Sequence, residues 1–175
     1  AGNLTVTSVV LGDGQMWLTY HQDGVTQGVI QGSSQASNGL FSSTDAKVFT
    51  GANAAAGAVS GQFVSRQSFT GVIAGVGSAG LQFAATYSSS YATVAQTSAI
   101  AGGWAATLST GTTAQVTIAA NGLLSGTDSA GCAFSGYVLP RSSGSNVYGV
   151  TIAFGGAPCV LAGKSTSGVA YLVPS

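Results

Sequence analysis

The chain has 175 residues, which suits one domain or two small domains that share a core. Only 5% of the residues are charged, none is glutamate, and the formal net charge is zero. Nucleic-acid binding is therefore excluded, because it needs clustered Lys and Arg, and the four basic residues here are scattered. No apolar run approaches the roughly 18 residues of a membrane-spanning helix. Neutrality favours self-association, since little charge repulsion separates the copies.

The hydrophobic pattern predicts β-strands from the first part of the chain to the last. Met16, Leu18 and Tyr20 alternate with Trp17 and Thr19, which is the two-residue period of a strand. The same alternation returns in three later segments, at 81–87, 115–118 and 148–154. Glycine separates these runs, as expected for short strands joined by tight turns. Single helical turns are predicted only at 44–49 and 97–101, where Thr44 and Thr97 provide capping hydroxyls.

One segment of the chain occurs twice. Residues 36–45 (ASNGLFSSTD) return as 119–128 (AANGLLSGTD), with seven identical positions. A tryptophan precedes each copy and a Ser-Gly strand follows it. We interpret the chain as a single β domain, 1–175, built from two homologous halves at approximately 12–95 and 99–175.

The repeated Asn-Gly pair predicts a type I′ hairpin turn in each half, because both central residues of that turn need positive φ. The strand pattern gives about ten strands in an up-and-down antiparallel order. A meander leaves two exposed edges unless it closes, so we expect an all-β, up-and-down barrel. Two small barrels or a sandwich are the alternatives.

The sequence offers little catalytic chemistry. His21 and Asp23 share a strand face, but the Gly that follows indicates a hairpin tip. Asp45 and Asp128 occupy matching places in the repeat, where an Asp at a strand end typically binds backbone N–H groups. We therefore expect no catalytic residues, no metal site, no cofactor and no enzymatic activity.

Two arginines are the candidates for contact with a ligand or partner. Arg66 and Arg141 follow the Ser-Gly strand of each half, beside aromatic residues. Such a side chain can anchor a partner in a chain with so few charges.

The two cysteines are Cys132 and Cys159, both in the second half. Each lies at a strand edge, without a His or a third Cys to complete a metal site. We predict a Cys132–Cys159 disulfide, which implies an oxidising, extracytoplasmic compartment.

The second half of the chain contains the residues of two resemblances to known families. Gly103-Trp104, then Val116-Thr-Ile118 and Asn121-Gly-Leu-Leu-Ser-Gly-Thr127, resemble the opening hairpin of avidins, which are eight-stranded meander barrels that bind biotin. Ala106 stands where that family has a polar biotin contact, and the later wall tryptophans are missing. The resemblance therefore does not imply biotin binding.

The chain as a whole resembles exported surface lipoproteins of Gram-negative bacteria. The shared residues are Gly-Cys-x-Phe-Ser-Gly (131–136), Asn-Val-Tyr (146–148), Phe-Gly-Gly-Ala-Pro-Cys (154–159) and Ser-Gly-x-Ala-Tyr (167–171). That resemblance implies export to the outer membrane or cell surface, with a lipid anchor on a cysteine upstream of Ala1. It implies no chemistry.

We expect a non-enzymatic, exported surface or periplasmic protein that acts by binding a protein partner or by self-association. The alternatives are a lipocalin-like carrier of a small apolar ligand and a periplasmic inhibitor of an enzyme.

Overall fold

The structure is a computed structural model that describes residues 4–23, 25–51, 53–108, 111–142 and 145–173. It is almost entirely β, and every strand pairs antiparallel with its neighbours. The chain divides into two compact units, Ala1–Ser88 and Ser89–Ser175. The predicted all-β class and antiparallel barrel architecture are confirmed, with one nearly closed barrel and one half-barrel sheet. Fourteen strands lie in the described residues, rather than the roughly ten predicted.

The first unit contains eight strands that follow one another in a meander. They are β1 (Leu4–Val10), β2 (Gln15–Gln22), β3 (Val25–Ser33), β4 (Gln35–Ser37), β5 (Leu40–Thr50), β6 (Asn53–Val64), β7 (Ser68–Ala74) and β8 (Leu81–Thr86). The sheet order is β1-β2-β3-β5-β6-β7-β8, and β4 pairs with β5. Because β1 comes close to β8, the sheet forms a nearly closed barrel.

Apolar side chains occupy the inside of this barrel. Met16, Leu18, Ile30 and Ile73 are completely buried and belong to one cluster with Val59 and its neighbours. Three phenylalanines complete the packing, because the ring of Phe69 lies 4.8 Å between centroids from both Phe41 and Phe83. The first unit therefore has a core of side chains at its centre.

The second unit contains six strands and a short helical segment. The elements are a 3₁₀ turn (Ser89–Ala92), α1 (Thr97–Ile100), β9 (Gly102–Thr107), β10 (Thr113–Ile118), β11 (Leu123–Asp128), β12 (Ala133–Pro140), β13 (Val147–Phe154) and β14 (Ser165–Tyr171). They form one sheet in chain order, with β9 and β14 at its two edges. The sheet is a half-barrel.

The segment before β9 packs on the inward face of this half-barrel. Ala95 and Ile100 are buried against Leu124, Val138 and Tyr148. The Tyr148 hydroxyl donates to the Gln96 carbonyl at 3.0 Å and accepts from the Gln96 N–H at 3.2 Å. These two hydrogen bonds attach the helical segment to β13.

The two Asn-Gly turns differ. Asn38 and Gly39 both have positive φ (51° and 76°), so the first copy is the predicted type I′ turn. In the second copy only Gly122 has positive φ (84°), and its N–H donates to the Ala119 carbonyl. That geometry is a type I turn followed by a glycine bulge, so the type I′ prediction is wrong there.

The predicted helical turn at 97–101 is confirmed as α1, whereas the one at 44–49 is wrong. Residues 44–49 belong to β5, which pairs with β6 on one side and with β3 on the other. A bulge between Ser43 and Ala46 accommodates Thr44, the predicted capping residue, together with Asp45. Strand pairing on both edges overrides the local signal.

We predict that Gly39→Ala lowers the free energy of unfolding by about 1 kcal/mol, because an L-residue at φ +76° is strained. A Cβ at this position would also lie 3.2 Å from the Phe63 carbonyl oxygen. Urea unfolding followed by far-UV circular dichroism measures the change. Gly12→Ala is the matched control, since its Cβ would meet no atom within 4 Å, and equal losses in the two variants would contradict the prediction.

Candidate binding surface

The predicted disulfide is present. Cys132 and Cys159 are joined by an S–S bond of 2.01 Å, and both residues are buried. Cys132 precedes β12, and Cys159 lies in the loop that follows β13. The bond therefore connects two loops at one end of the second sheet.

The one histidine lies at the base of a hairpin. His21 is in β2, with its Nε2 atom 3.0 Å from the Thr19 hydroxyl and its Nδ1 atom 3.1 Å from the Thr26 hydroxyl. Asp23 lies in the turn that follows, with φ 51°. Both ring nitrogens thus contact threonine hydroxyls in a strand-turn-strand segment.

The two repeat-mate aspartates bind the backbone of their own units. In the first unit, Asp45 lies at the bulge inside β5, so the predicted strand-end position is wrong; its Oδ1 accepts from the Ser33 N–H at 2.9 Å and from the Ser43 hydroxyl at 3.2 Å. In the second, Asp128 Oδ1 accepts from the N–H groups of Ala130 and Cys132, each at 2.9 Å. The hydrogen bond from the Ser33 backbone is the main reason that the pKa of Asp45 lies below its ordinary value of 3.8.

The two arginines follow corresponding strands, β6 and β12. Arg66 is exposed in the turn before β7 and has φ 55°. Arg141 is half-buried, and its N–H donates to the Val147 carbonyl at 2.9 Å. Their role in partner contact stays a prediction. Across the residues that the structure describes, no three His, Cys, Asp or Glu side chains form a metal-binding group.

The most distinctive surface lies on the inward face of the second sheet. A row of side chains crosses five neighbouring strands there, because the register pairs each member with the next. We call it the inward row, and its members are Trp104, Val116, Gly126, Phe134 and Phe154. Val116 and Phe134 pack against the buried core of the unit, which fixes the face that the row occupies.

A glycine in the middle of the row makes room for an aromatic ring. A Cβ at Gly126 would lie 2.7 Å from two atoms of the Phe134 ring, so this ring lies directly over the glycine. Phe134 also contacts Phe154, with 6.4 Å between the ring centroids. Two rings thus lie beside each other on the inward face, and both are only half-buried.

Trp104 is at the other end of the row, on the edge strand β9. Its indole N–H donates to the Ile100 carbonyl at 2.8 Å, yet 43% of the residue is exposed. A hydrogen bond therefore fixes the orientation of a large apolar ring that is open to solvent. An open cavity of about 610 Å³ runs along the row from Trp104 to Phe134. Fixed aromatic walls beside a concave space are typical of binding sites.

The corresponding strand of the first unit has no such exposure. When the strands of the two units are aligned at their Asn-Gly turns, β9 of the second unit corresponds to β2 of the first. Met16 and Leu18 of β2 are completely buried, whereas all six residues of β9 are exposed. The difference follows from β1, which pairs with β2. Within the described residues, β9 pairs only with β10.

The two tryptophans that mark the repeat therefore have different environments. Trp17 lies between the inward-facing Met16 and Leu18, so its side chain is on the outer face of the barrel. Trp104 is on the inward face. In the sequence, Trp104 was evident as a marker of the repeat and as part of the avidin resemblance, but the inward row was not. The signal that was available is the strand pattern before β2, at 4–10, which has no counterpart immediately before β9.

Comparison of the chain with protein-family models, curated proteins and solved structures finds no match. In the part of the chain that the structure describes, no helix has the length and apolar character needed to cross a membrane.

We predict that replacing both cysteines, by Cys132→Ala with Cys159→Ala, lowers the stability of the second unit by about 3 kcal/mol, because a loop of about 28 residues is no longer closed in the unfolded chain. Guanidinium unfolding monitored by Trp104 emission in a Trp17→Phe background measures the loss. A loss below about 1 kcal/mol would contradict the prediction.

The lowered pKa of Asp45 predicts that the stability of the first unit depends on pH. Its folded-state pKa is lowered, so its stabilising contribution is present above pH 3.8 and is lost as the pH falls through the folded-state pKa. Asp45→Asn is expected to be less stable than the wild type near neutral pH and to approach it in acid. Thermal unfolding between about pH 6 and pH 2 measures this convergence. A constant difference across that range would be inconsistent with it.

Proposed function

We propose that the protein is a non-enzymatic, exported binding protein whose binding surface is the inward face of the second unit. The observation that carries the proposal is Trp104, a large apolar side chain that is held by a hydrogen bond and is 43% exposed beside two half-buried aromatic rings. Orienting an exposed aromatic ring in advance reduces the entropy lost on binding. The partner is expected to offer an apolar surface.

The environment of the titratable groups supports a function without catalysis. The ring nitrogens of His21 contact threonine hydroxyls. The carboxylate of Asp45 accepts a backbone N–H of β3 at the β5 bulge, and that of Asp128 accepts backbone N–H groups in a turn. These contacts are those of structural residues. In addition, strands β9, β10, β12, β13 and β14 contain no charged residue, so these five strands offer apolar contacts and hydrogen bonds rather than ion pairs.

The disulfide supports the proposed location outside the cytoplasm, because such bonds persist in oxidising compartments. The resemblance to surface lipoproteins adds attachment to the outer membrane to the proposal.

A second candidate function is the carriage of a small apolar ligand. The cavity of about 610 Å³ along the inward row favours it, since ligand sites commonly enclose about 300–1,000 Å³. The inside of the first unit, which large side chains occupy, offers no support for carriage there.

We expect Trp104→Ala to weaken the binding of N-phenyl-1-naphthylamine, a neutral apolar fluorophore, by about tenfold, which corresponds to about 1.4 kcal/mol. Fluorescence titration gives the dissociation constant. Tyr137→Ala is the matched control, because Tyr137 is 52% exposed and lies in β12 between Gly136 and Val138, on the outer face of the same sheet. Trp104→Phe should restore much of the affinity.

Three outcomes would contradict the proposal: no saturable binding to the wild type, equal weakening by Tyr137→Ala, or no change in Trp104→Ala. Native mass spectrometry of protein purified from its own source then separates the two candidate functions. A bound small molecule would indicate carriage, whereas a bound polypeptide would indicate a protein partner.

A further inference from the structure

The free edge of β9 has a counterpart in the first unit that shows what can cover it. There β1 pairs antiparallel with β2 over seven residue pairs, from Leu4↔Gln22 to Val10↔Met16. The second unit repeats the meander from its second strand onward, and in its described residues no strand pairs with the outer edge of β9. The two units thus differ by one edge strand.

The backbone groups of β9 are arranged to accept such a strand. The Leu108 N–H donates to the Thr112 carbonyl, and the Ser129 N–H donates to the Thr113 carbonyl. Antiparallel hydrogen bonds alternate along a strand, so the backbone groups of Trp104 and Ala106 bond to β10. The N–H and C=O groups of the residues between and beside them point to the free edge; these residues are Gly103, Ala105 and Thr107. The same alternation directs Trp17 and Thr19 of β2 towards β1, starting from the Leu11 N–H bond to the Gln15 carbonyl.

Edge strands in proteins are usually protected by a Lys, a Pro, a bulge or a covering segment. β9 has the sequence GGWAAT, without a charged residue or a proline, and all six residues are exposed. β1 has the sequence LTVTSVV, also without charge, and its Val6 and Val10 pack against the barrel core. An uncharged edge beside an exposed tryptophan therefore matches a strand with β-branched aliphatic side chains on its inward face.

We propose that β9 is an acceptor for an extended strand donated by another protein, with β-branched aliphatic residues at alternate positions and no charge facing inward. This inference rests on the proposed function and specifies how the partner binds. Strand addition supplies hydrogen bonds from Gly103, Ala105 and Thr107, and it covers Trp104 with apolar side chains. Pairing between the β9 strands of two copies is the other candidate occupant, but it would offer the sequence GGWAAT, which has no β-branched aliphatic residue, in place of a strand like β1.

The test uses the full chain with Trp17→Phe, which leaves Trp104 as the one tryptophan. The probe is a synthetic peptide with the sequence of β1, LTVTSVV, followed by lysines that lie outside the strand and keep it soluble. We expect saturable binding with a blue shift of Trp104 emission as the ring is covered. The same peptide with N-methyl groups at the positions of Thr5, Thr7 and Val9 should bind about tenfold more weakly or not at all, because these N–H groups face the acceptor strand.

Ala105→Pro in the same background blocks the acceptor edge. The Ala105 N–H faces the free edge, so the proline removes no hydrogen bond to β10, and edge strands tolerate it. Peptide binding should weaken by about tenfold, whereas Tyr137→Ala, on the outer face of the same sheet, should bind the peptide as tightly as the parent chain. The N-methylated peptide keeps the test valid if this variant folds poorly, because it requires no change in the protein.

The inference is overturned if the β1 peptide does not bind, if the N-methylated peptide binds equally well, or if folded Ala105→Pro binds it unchanged. It is also overturned if sedimentation velocity shows a dimer that Ala105→Pro dissociates, because a second copy would then occupy the edge. If the chain with an intact β9 binds the fluorophore but not the β1 peptide, only strand addition is rejected, whereas absence of both kinds of binding rejects the proposed function as well.

Discussion

The hydrogen-bonding capacity of the sheet edges is the constraint on which the rest of this structure depends. A strand at the end of a meander carries a row of N–H and C=O groups that need a partner or water. In the first unit, β1 pairs with β2 and comes close to β8, so the sheet nearly closes and the side chains inside it are buried. In the second unit, the segment before β9 forms a 3₁₀ turn and α1 instead, and the sheet stays open at β9. The presence of one edge strand thus decides whether the apolar face of the sheet is buried in a core or stays accessible.

The same difference explains why closely similar repeats carry different surfaces. Both units place rings over inward-facing glycines, with Phe69 next to Gly61 in the first unit and Phe134 over Gly126 in the second. In the first unit the rings belong to a closed aromatic cluster, and they contribute to stability by packing against one another. In the second unit the rings are half-buried along an open cavity, where apolar area is still available for contact with a partner.

Much of this architecture could be predicted from the sequence because strand signals are local. The alternation of Met16, Leu18 and Tyr20 gave their inward orientation, and Asn38-Gly39 gave the first hairpin turn. The helical turn expected at 44–49 failed because β5 is paired on both edges, which no local signal reports. The inward row could not be found in advance either. Its members come from five strands, and only the register between those strands aligns them.

The sequence by itself determined the all-β class, the repeated meander, the disulfide between Cys132 and Cys159, and the turn role of Asp128. Each of these depends on residue periodicity, on turn chemistry or on the pairing of two cysteines. Tertiary structure alone decided which edge is covered and which tryptophan faces inward. Those properties depend on strand pairing: β1 buries the inward residues of β2, whereas Trp104 on β9, which in the described residues pairs only with β10, is held by the Ile100 carbonyl of α1 and stays exposed. A duplicated sequence can therefore encode one unit that is complete and one that can still accept a strand.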